Sequence, residues 1–444
     1  MAVPRYNGRF GPIQAERLLW RAGFGPRRGE ARALAKLGLD GAVQSLTRVT
    51  GAARMIGPEP HDDDGLPLAP TDAYGHDVLF ALDRMVRSDQ PARERLALSW
   101  HDWFATGDIG QVALNLGQFE TFRRLGFGSF KDLFLAVTVD PAMLIWLSGI
   151  DNTKDAPNEN YGREMMELFA LGVDAGYSED DVREQARSLT GWRTEWQDGV
   201  GYTNFHYDPD YYDTGSKTIF GTTGNYDWRD SCRLCLEHPA HPGYLVDRLW
   251  SYFFPIAPPR RTRSALIDRY NKSGRSIRPL IEAMLTHPLF YDGPRMVKPP
   301  LVQIAGMLRA RGGGVQESSW VWVADDAGQR PFSPPNVAGW DEARWLDTAR
   351  FSGRWSAGGV PVNASRAPDD GSYPADETAA EAVVKALAFW GKPTVSAPTR
   401  AQLINFANRV ETIATADWQQ STYRGLRQNA LRVLIASSPE YQTC

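Results

Sequence analysis

Apolar residues recur along most of this chain at the three- and four-residue spacing of amphipathic helices, broken by Gly-, Pro- and Asp-rich joints. The stretch 157–196, PNENYGREMMELFALGVDAGYSEDDVREQARSLTGWRTEW, predicts a helix, a short turn and a second helix. Asn158 suits the N-cap, Glu159 the positive first turn, and Gly172 the stop. At about 100° per residue, Tyr161, Met165, Leu168, Phe169 and Leu171 share one broad face. Glu164 falls inside that face and Glu167 at its edge. An ionised carboxylate turned to a core needs an Arg, a metal or a hydrogen-bonding network. A buried structural ion pair, for example with Arg163, is the simpler answer, and a functional carboxylate the sharper one. Ser178 and Asp181 have capping-box spacing for the second helix.

The same reading places two helices over 14–48, an aperiodic Pro/Gly/Asp loop over 51–72, and helices over 73–87, 91–106 and 112–136. On 91–106, Leu96, Trp100, Trp103 and Phe104 share a face; His101 lies at its margin and Asp102 points the other way. Asp140-Pro141 starts a further helix. Residues 197–230 change character, with strand-like pieces around Asp213–Gly215, and predict an irregular or hairpin excursion. Helices resume to 311, followed by a long loop over 312–345 whose Trp340 and Trp345 favour packing. Residues 356–377 have the composition of a flexible linker, and three helices close the chain over 378–444. The expected architecture is mainly α. A large multi-helix body fills 1–355, and the C-terminal helices pack on the same body.

Composition narrows the classes. A length of 444 residues allows one large core or two to three modest domains. The net charge of −4 argues against a nucleic-acid binder. Fifteen Trp suit a well-packed helical core. No run approaches a membrane span, and the N-terminal residues lack a leader pattern, so a cytoplasmic location is expected. Three Cys make no disulfide framework.

Three constellations could carry chemistry. Glu159, Glu164 and Glu167 share one helix, and His101 from another could complete a site with them. Asp208, Asp210 and Asp213 with His206 and Lys217 could hold a hard cation, although turn chemistry explains these Asp residues equally well. Cys232, Cys235, His238 and His241 raise a zinc site, but spacing by threes is awkward for one tetrahedron, and idle buried thiols are the better reading. Phosphate-binding Gly loops, the G-x-S-x-G elbow and H-E-x-x-H are missing, which disfavours nucleotide-driven enzymes and the common hydrolases. The identity of any metal or cofactor stays open.

Several stretches taken together resemble the bacterial domain-of-unknown-function family numbered eighteen hundred. They include RLLWRAGFGP (17–26), LSWHDWFAT (98–106), DPAMLIWL (140–147) and PNENYGREMMELFALGV (157–173). YDTGSKTIFG (212–221), MVKPPLVQIAGMLRA (296–310), PFSPPNVAGW (331–340) and SSPEYQ (437–442) follow in family order. The resemblance implies a predominantly helical bacterial protein. It also implies a neighbour from a second family, numbered fifteen hundred and one, that is similar to sulfatases and alkaline phosphatases. Against the family pattern, one His of H-x-H-F is Trp103 here, Tyr212 replaces a His before Asp213, and Arg17 stands where a His is common. Many relatives look exported.

Two functions are therefore expected. The first is an acid–base, hydrolase-like enzyme with His101, Glu164 and Glu167 as catalytic groups. Asn158, Arg163, Asp213, Lys217, Asn336 and Trp340 would contact its substrate. The alternative is a non-catalytic partner or maturation factor for a sulfatase- or phosphatase-like protein, docking through the aromatic loop 331–345.

Overall fold

Helices form where the chain carries its own start signals. Asp140 accepts from the backbone N–H groups of Ala142 (3.0 Å) and Met143 (3.3 Å), with Pro141 at the first helical position. Ser178 and Asp181 cap each other reciprocally, as their spacing predicts. The computed structural model describes residues 2–61, 64–316 and 318–444. Within them the protein is mainly α, with 22 α-helices and two small antiparallel hairpins.

One connected core runs from Ala15 to Cys444 and includes Val383, Leu403 and Leu431 of the C-terminal helices. Its centre is aromatic: Phe104 lies 6.0 Å from Trp100, 6.2 Å from Phe130 and 5.2 Å from Phe169, centroid to centroid. This is the use of Trp and Phe that the composition suggests.

Several boundaries differ from expectation. The helix expected over 112–136 is two, Val112–Leu125 and Phe130–Thr138, because Ser129 caps a new start. The excursion begins at Trp192: β1 (Trp192–Gln197) pairs with β2 (Gly201–Tyr207), and β3 (Lys217–Ile219) with β4 (Thr222–Gly224). Gln111 fastens the first hairpin to the body, accepting from Tyr202 N–H (2.8 Å) and donating to its carbonyl (3.1 Å). The loop 312–345 contains a helix, Trp320–Asp326.

The linker expected over 356–377 is a correction. The helix Thr348–Asn363 runs through its first eight positions, and the rest is bonded along the helix Asp417–Ala436. Asn429 exchanges two hydrogen bonds with the backbone of Ala367, Ser421 bonds the Tyr373 carbonyl, and Arg424 and Arg427 bond that of Glu377. Small residues that look like linker composition instead permit close helix packing: a Cβ on Gly358 would stand 2.9 Å from that of Ala436, and the same helix is tighter still just before the segment. A Cβ on Gly353 would stand 2.3 Å from the backbone nitrogen of Ala327. Gly353→Ala is accordingly expected to cost about 3 kcal/mol by overpacking, measured by urea unfolding. A cost under 0.5 kcal/mol would show that the helices separate freely.

Candidate functional site

The WHDWF segment ends the helix Pro91–Trp103, which is buried on nearly every side. His101 is 1% exposed. Its Nε2 accepts from the backbone N–H of Phe332 (3.0 Å), while Nδ1 is buried without a partner. Rings of Phe119, Phe122, Phe332 and Trp340 surround it with centroids 5.3–6.4 Å away. Burial pushes the imidazole down to about 3, so it is neutral, with its proton on Nδ1. Asp102 faces another buried surface. Its Oδ1 accepts from Trp340 N–H (2.8 Å), and Oδ2 from the Tyr252 hydroxyl (2.6 Å) and Arg248 (3.3 Å). The two neighbouring side chains thus clamp both ends of the PFSPPNVAGW loop. Gly339, at φ +89°, lies so close that a Cβ would sit 2.4 Å from the Asp102 carbonyl oxygen.

Asn336 and Trp340 belong to this clamp. Asn336 Oδ1 caps the turn through Ala338 N–H (2.9 Å), and Trp340 is buried against His101. Phe332 and Trp345 are buried as well. The aromatic rings of the loop face inward, which removes them as the docking surface drawn from the sequence.

The carboxylate helix departs from α geometry. Glu159–Glu164 is α, but Met165–Ala170 is a π-helix in which Leu171 N–H reaches back five residues to Met166 (2.9 Å). Buried pairs recur at 161–162, 165–166 and 169–170, four residues apart, wider than the α repeat. This is why Met166 and Ala170 are buried while Leu168, expected on the core face, is half-buried. Gly172 N–H also bonds Met166, leaving the Leu168 carbonyl to accept from Trp103 Nε1 (3.0 Å) and the Tyr244 hydroxyl. Single π turns concentrate at functional sites.

Glu164, the last α residue before that turn, is half-buried, not sunk in the core. It forms no hydrogen bond or ion pair among the described residues. Burial raises its pKa, neighbouring Glu167 raises it further, and Arg163 opposes both. Arg163 instead pairs with Glu179 (2.7 Å) and Glu159 (3.2 Å), and stands 3.8 Å from Glu167. Tyr177 lies beside Glu167, its hydroxyl pKa raised by burial and then by that carboxylate. Asn158 is the N-cap, accepting from Asn160 N–H (3.0 Å). The structure thus gathers Glu159, Arg163, Glu164 and Glu167, while no hydrogen bond or ion pair joins them to His101.

The excursion holds its charged residues internally. Asp213 takes Arg187 at 2.7 Å and 3.2 Å and Gly215 N–H at 2.7 Å. Lys217, 1% exposed, donates to the Gly215 carbonyl (2.9 Å) and to that of Asp213. Among the described residues no group of three His, Cys, Asp or Glu is arranged to hold a metal. Cys232 and Cys235 are free, buried thiols, and His241 bonds the Ala170 carbonyl and the Tyr270 hydroxyl, both at 2.9 Å.

None of the residues given a catalytic or substrate-binding role lines an open cleft of about 460 Å³ over Leu236–Gly243 and Arg263–Arg275, although His238 of the Cys/His constellation does. Nor do they line a cavity of about 210 Å³ between the N-terminal helix and residues 441–444. The second of these contains Lys298, whose MVKPP segment was read only as part of the family pattern.

A mainly α body with a clamped aromatic loop and a π turn beneath paired carboxylates fits no common enzyme class by motif. The chain belongs to the protein family of unknown function DUF1800, which it matches over residues 17–443. No curated protein and no solved structure matches it.

Proposed function

We propose that the protein is an acid–base enzyme of hydrolase type whose working pair is Glu164 and Glu167. The observation that carries this reading is a half-buried, unbonded Glu164 of raised pKa, next to a second carboxylate on a π turn. Two carboxylates in unequal surroundings favour one holding its proton as acid while the other stays ionised as base. Arg163, held by Glu179 and Glu159 and 3.8 Å from Glu167, would meet a hydroxylated substrate beside the pair.

A carboxylate kept for chemistry is held at a cost to the fold, so Glu164→Gln should raise stability, by up to about 1 kcal/mol given the partial exposure. The sign follows from the raised folded pKa: the charge costs stability above the ordinary carboxylate range, so the gain is present at neutral pH and vanishes as pH falls below 4.5. Thermal melts at pH 4 and 7 check this. Turnover of chromogenic esters, phosphoesters and glycosides should be lost in both Glu164→Gln and Glu167→Gln. Destabilisation of several kcal/mol in Glu164→Gln, or undiminished turnover, would refute the assignment.

The partner reading has support elsewhere: Tyr74 and Trp322 are exposed and in ring contact at 5.8 Å, next to the loop residue Arg330. Loss of co-purification of a co-expressed phosphatase-like neighbour on Trp322→Ala would favour it.

A further inference from the structure

The cavity of about 210 Å³ is formed by residues distant in sequence, among them Glu16, Arg17 and Trp20, Arg295 and Lys298, and Tyr441. At ~30 Å³ per water it has room for about seven waters, which suits a small molecule. Its floor is a buried amine. Lys298 is 2% exposed, donates to the Tyr441 carbonyl (2.7 Å) and lies 3.6 Å over the Trp20 ring.

The cations here are unusual in what they lack. Arg17 donates to the carbonyls of Tyr291, Gly293 and Pro294 at 2.6–2.8 Å, and Arg295 to those of Glu440 and Thr443, both 3.2 Å. Behind them Arg21 donates to the carbonyls of Pro294 (2.7 Å) and Cys444 (2.9 Å). Among the described residues no Asp or Glu side chain stands within ion-pair distance of these four cations, although Glu16 lines the same wall and Arg21 meets the main-chain oxygen of Cys444. The Tyr441 hydroxyl and Arg17 Nε are buried with no hydrogen-bond partner. Carbonyl dipoles fix the cations in place, and Glu16 and Cys444 compensate their charge only in part.

We propose that this cavity binds a small carboxylic acid with a flat apolar body, its carboxylate on Lys298 and Arg295 and its body against Trp20. One buried amine with the Arg295 guanidinium in the same lining matches the charge of a carboxylate. The lining by Ile13, Trp20 and Pro393 requires an apolar remainder. A bound anion would also relieve Lys298. Burial pushes its ammonium down to about 7, Cys444 and Glu16 oppose that, and Arg295 and Arg354 add to it. Affinity therefore weakens as pH rises from 6 to 8.5, where the amine loses its charge.

The test uses benzoate as probe, with titration calorimetry and thermal melts on the full chain, beside benzamide and inorganic phosphate. Benzoate is expected to bind and to raise the melting temperature, more at pH 6 than at pH 8.5. Benzamide and phosphate are expected to do neither. Lys298→Met, which keeps the apolar stem, should abolish the effect. Arg295→Gln, at an exposed rim position, should weaken it about tenfold and carries the test if the buried substitution fails to fold. No heat or shift with benzoate, an equal shift with benzamide or phosphate, or undiminished binding by Arg295→Gln would overturn the proposal.

Discussion

Asp102→Ala lowers stability by about 3–5 kcal/mol, the cost of stripping the partner from a buried charge and its hydrogen bonds. Three donors converge on this carboxylate: the Trp340 N–H, the Tyr252 hydroxyl and Arg248. Alanine leaves all three without an acceptor, in a site where Gly339 packs directly against Asp102. Asp102→Asn retains an acceptor oxygen for Trp340 and should cost less, about 1–2 kcal/mol. Urea unfolding followed by Trp fluorescence gives the magnitudes, and amide exchange locates the damage. Protection should fall first over 331–345, with the helix Glu179–Ser188 affected only by global unfolding. A loss under 1 kcal/mol, or faster exchange spread evenly over the chain, would mean the clamp does not hold the loop.

Glu377→Ala is expected to cost about 3 kcal/mol by the same physics at the other end of the molecule. Glu377 accepts from Tyr373 (2.7 Å), Arg427 (3.1 Å) and Gln428 (3.3 Å), and Arg427 is fully buried. Arg427 keeps a second partner in Glu411 (2.8 Å), which places the cost at the low end of the range for a broken buried pair. Burial works to raise the Glu377 pKa, but the hydrogen bonds from Tyr373, Arg427 and Gln428 outweigh it and hold the carboxyl below its ordinary value. A folded pKa depressed in this way contributes stability that is complete above the unfolded value and is lost as pH falls through the folded one. The gap between wild type and Glu377→Ala should accordingly be full at pH 6 and narrow steadily below pH 4.5. Thermal melts across that range measure it. A gap that widens in acid would mean the carboxyl is protonated in the fold.

Helix starts were legible because their signals are local: Asn158, Ser178 and Asp140 each act on N–H groups two or three residues ahead. The π turn was not, since an assumed 100° step puts Leu168 with Met165 and cannot reveal an extra residue in the turn. Asp102 was read as pointing away because a single helix shows only its own apolar face. The partners on its other side, Trp340 and Tyr252, lie 238 and 150 residues further along. The segment 356–377 misled for a chemical reason. Gly and Ala mark both loose chain and the tightest helix contacts, and Gly358, where a Cβ would stand 2.9 Å from that of Ala436, serves the second purpose. Of the candidate site, the helix bearing Arg163, Glu164 and Glu167 was visible as a patterned stretch. The Lys298 cavity was not, since its walls come from four regions that meet only in the fold.

Arg21 of the first helix bonds the carbonyl of Cys444, and Lys298 that of Tyr441. During synthesis these two buried cations emerge from the ribosome long before their acceptors exist. Until residues 441–444 are made, Lys298 lacks its carbonyl acceptor and Arg21 one of its two short ones, so the helical body holds desolvated charge with less relief. The nascent chain is therefore expected to remain open, and within reach of chaperones, until residues 441–444 have emerged.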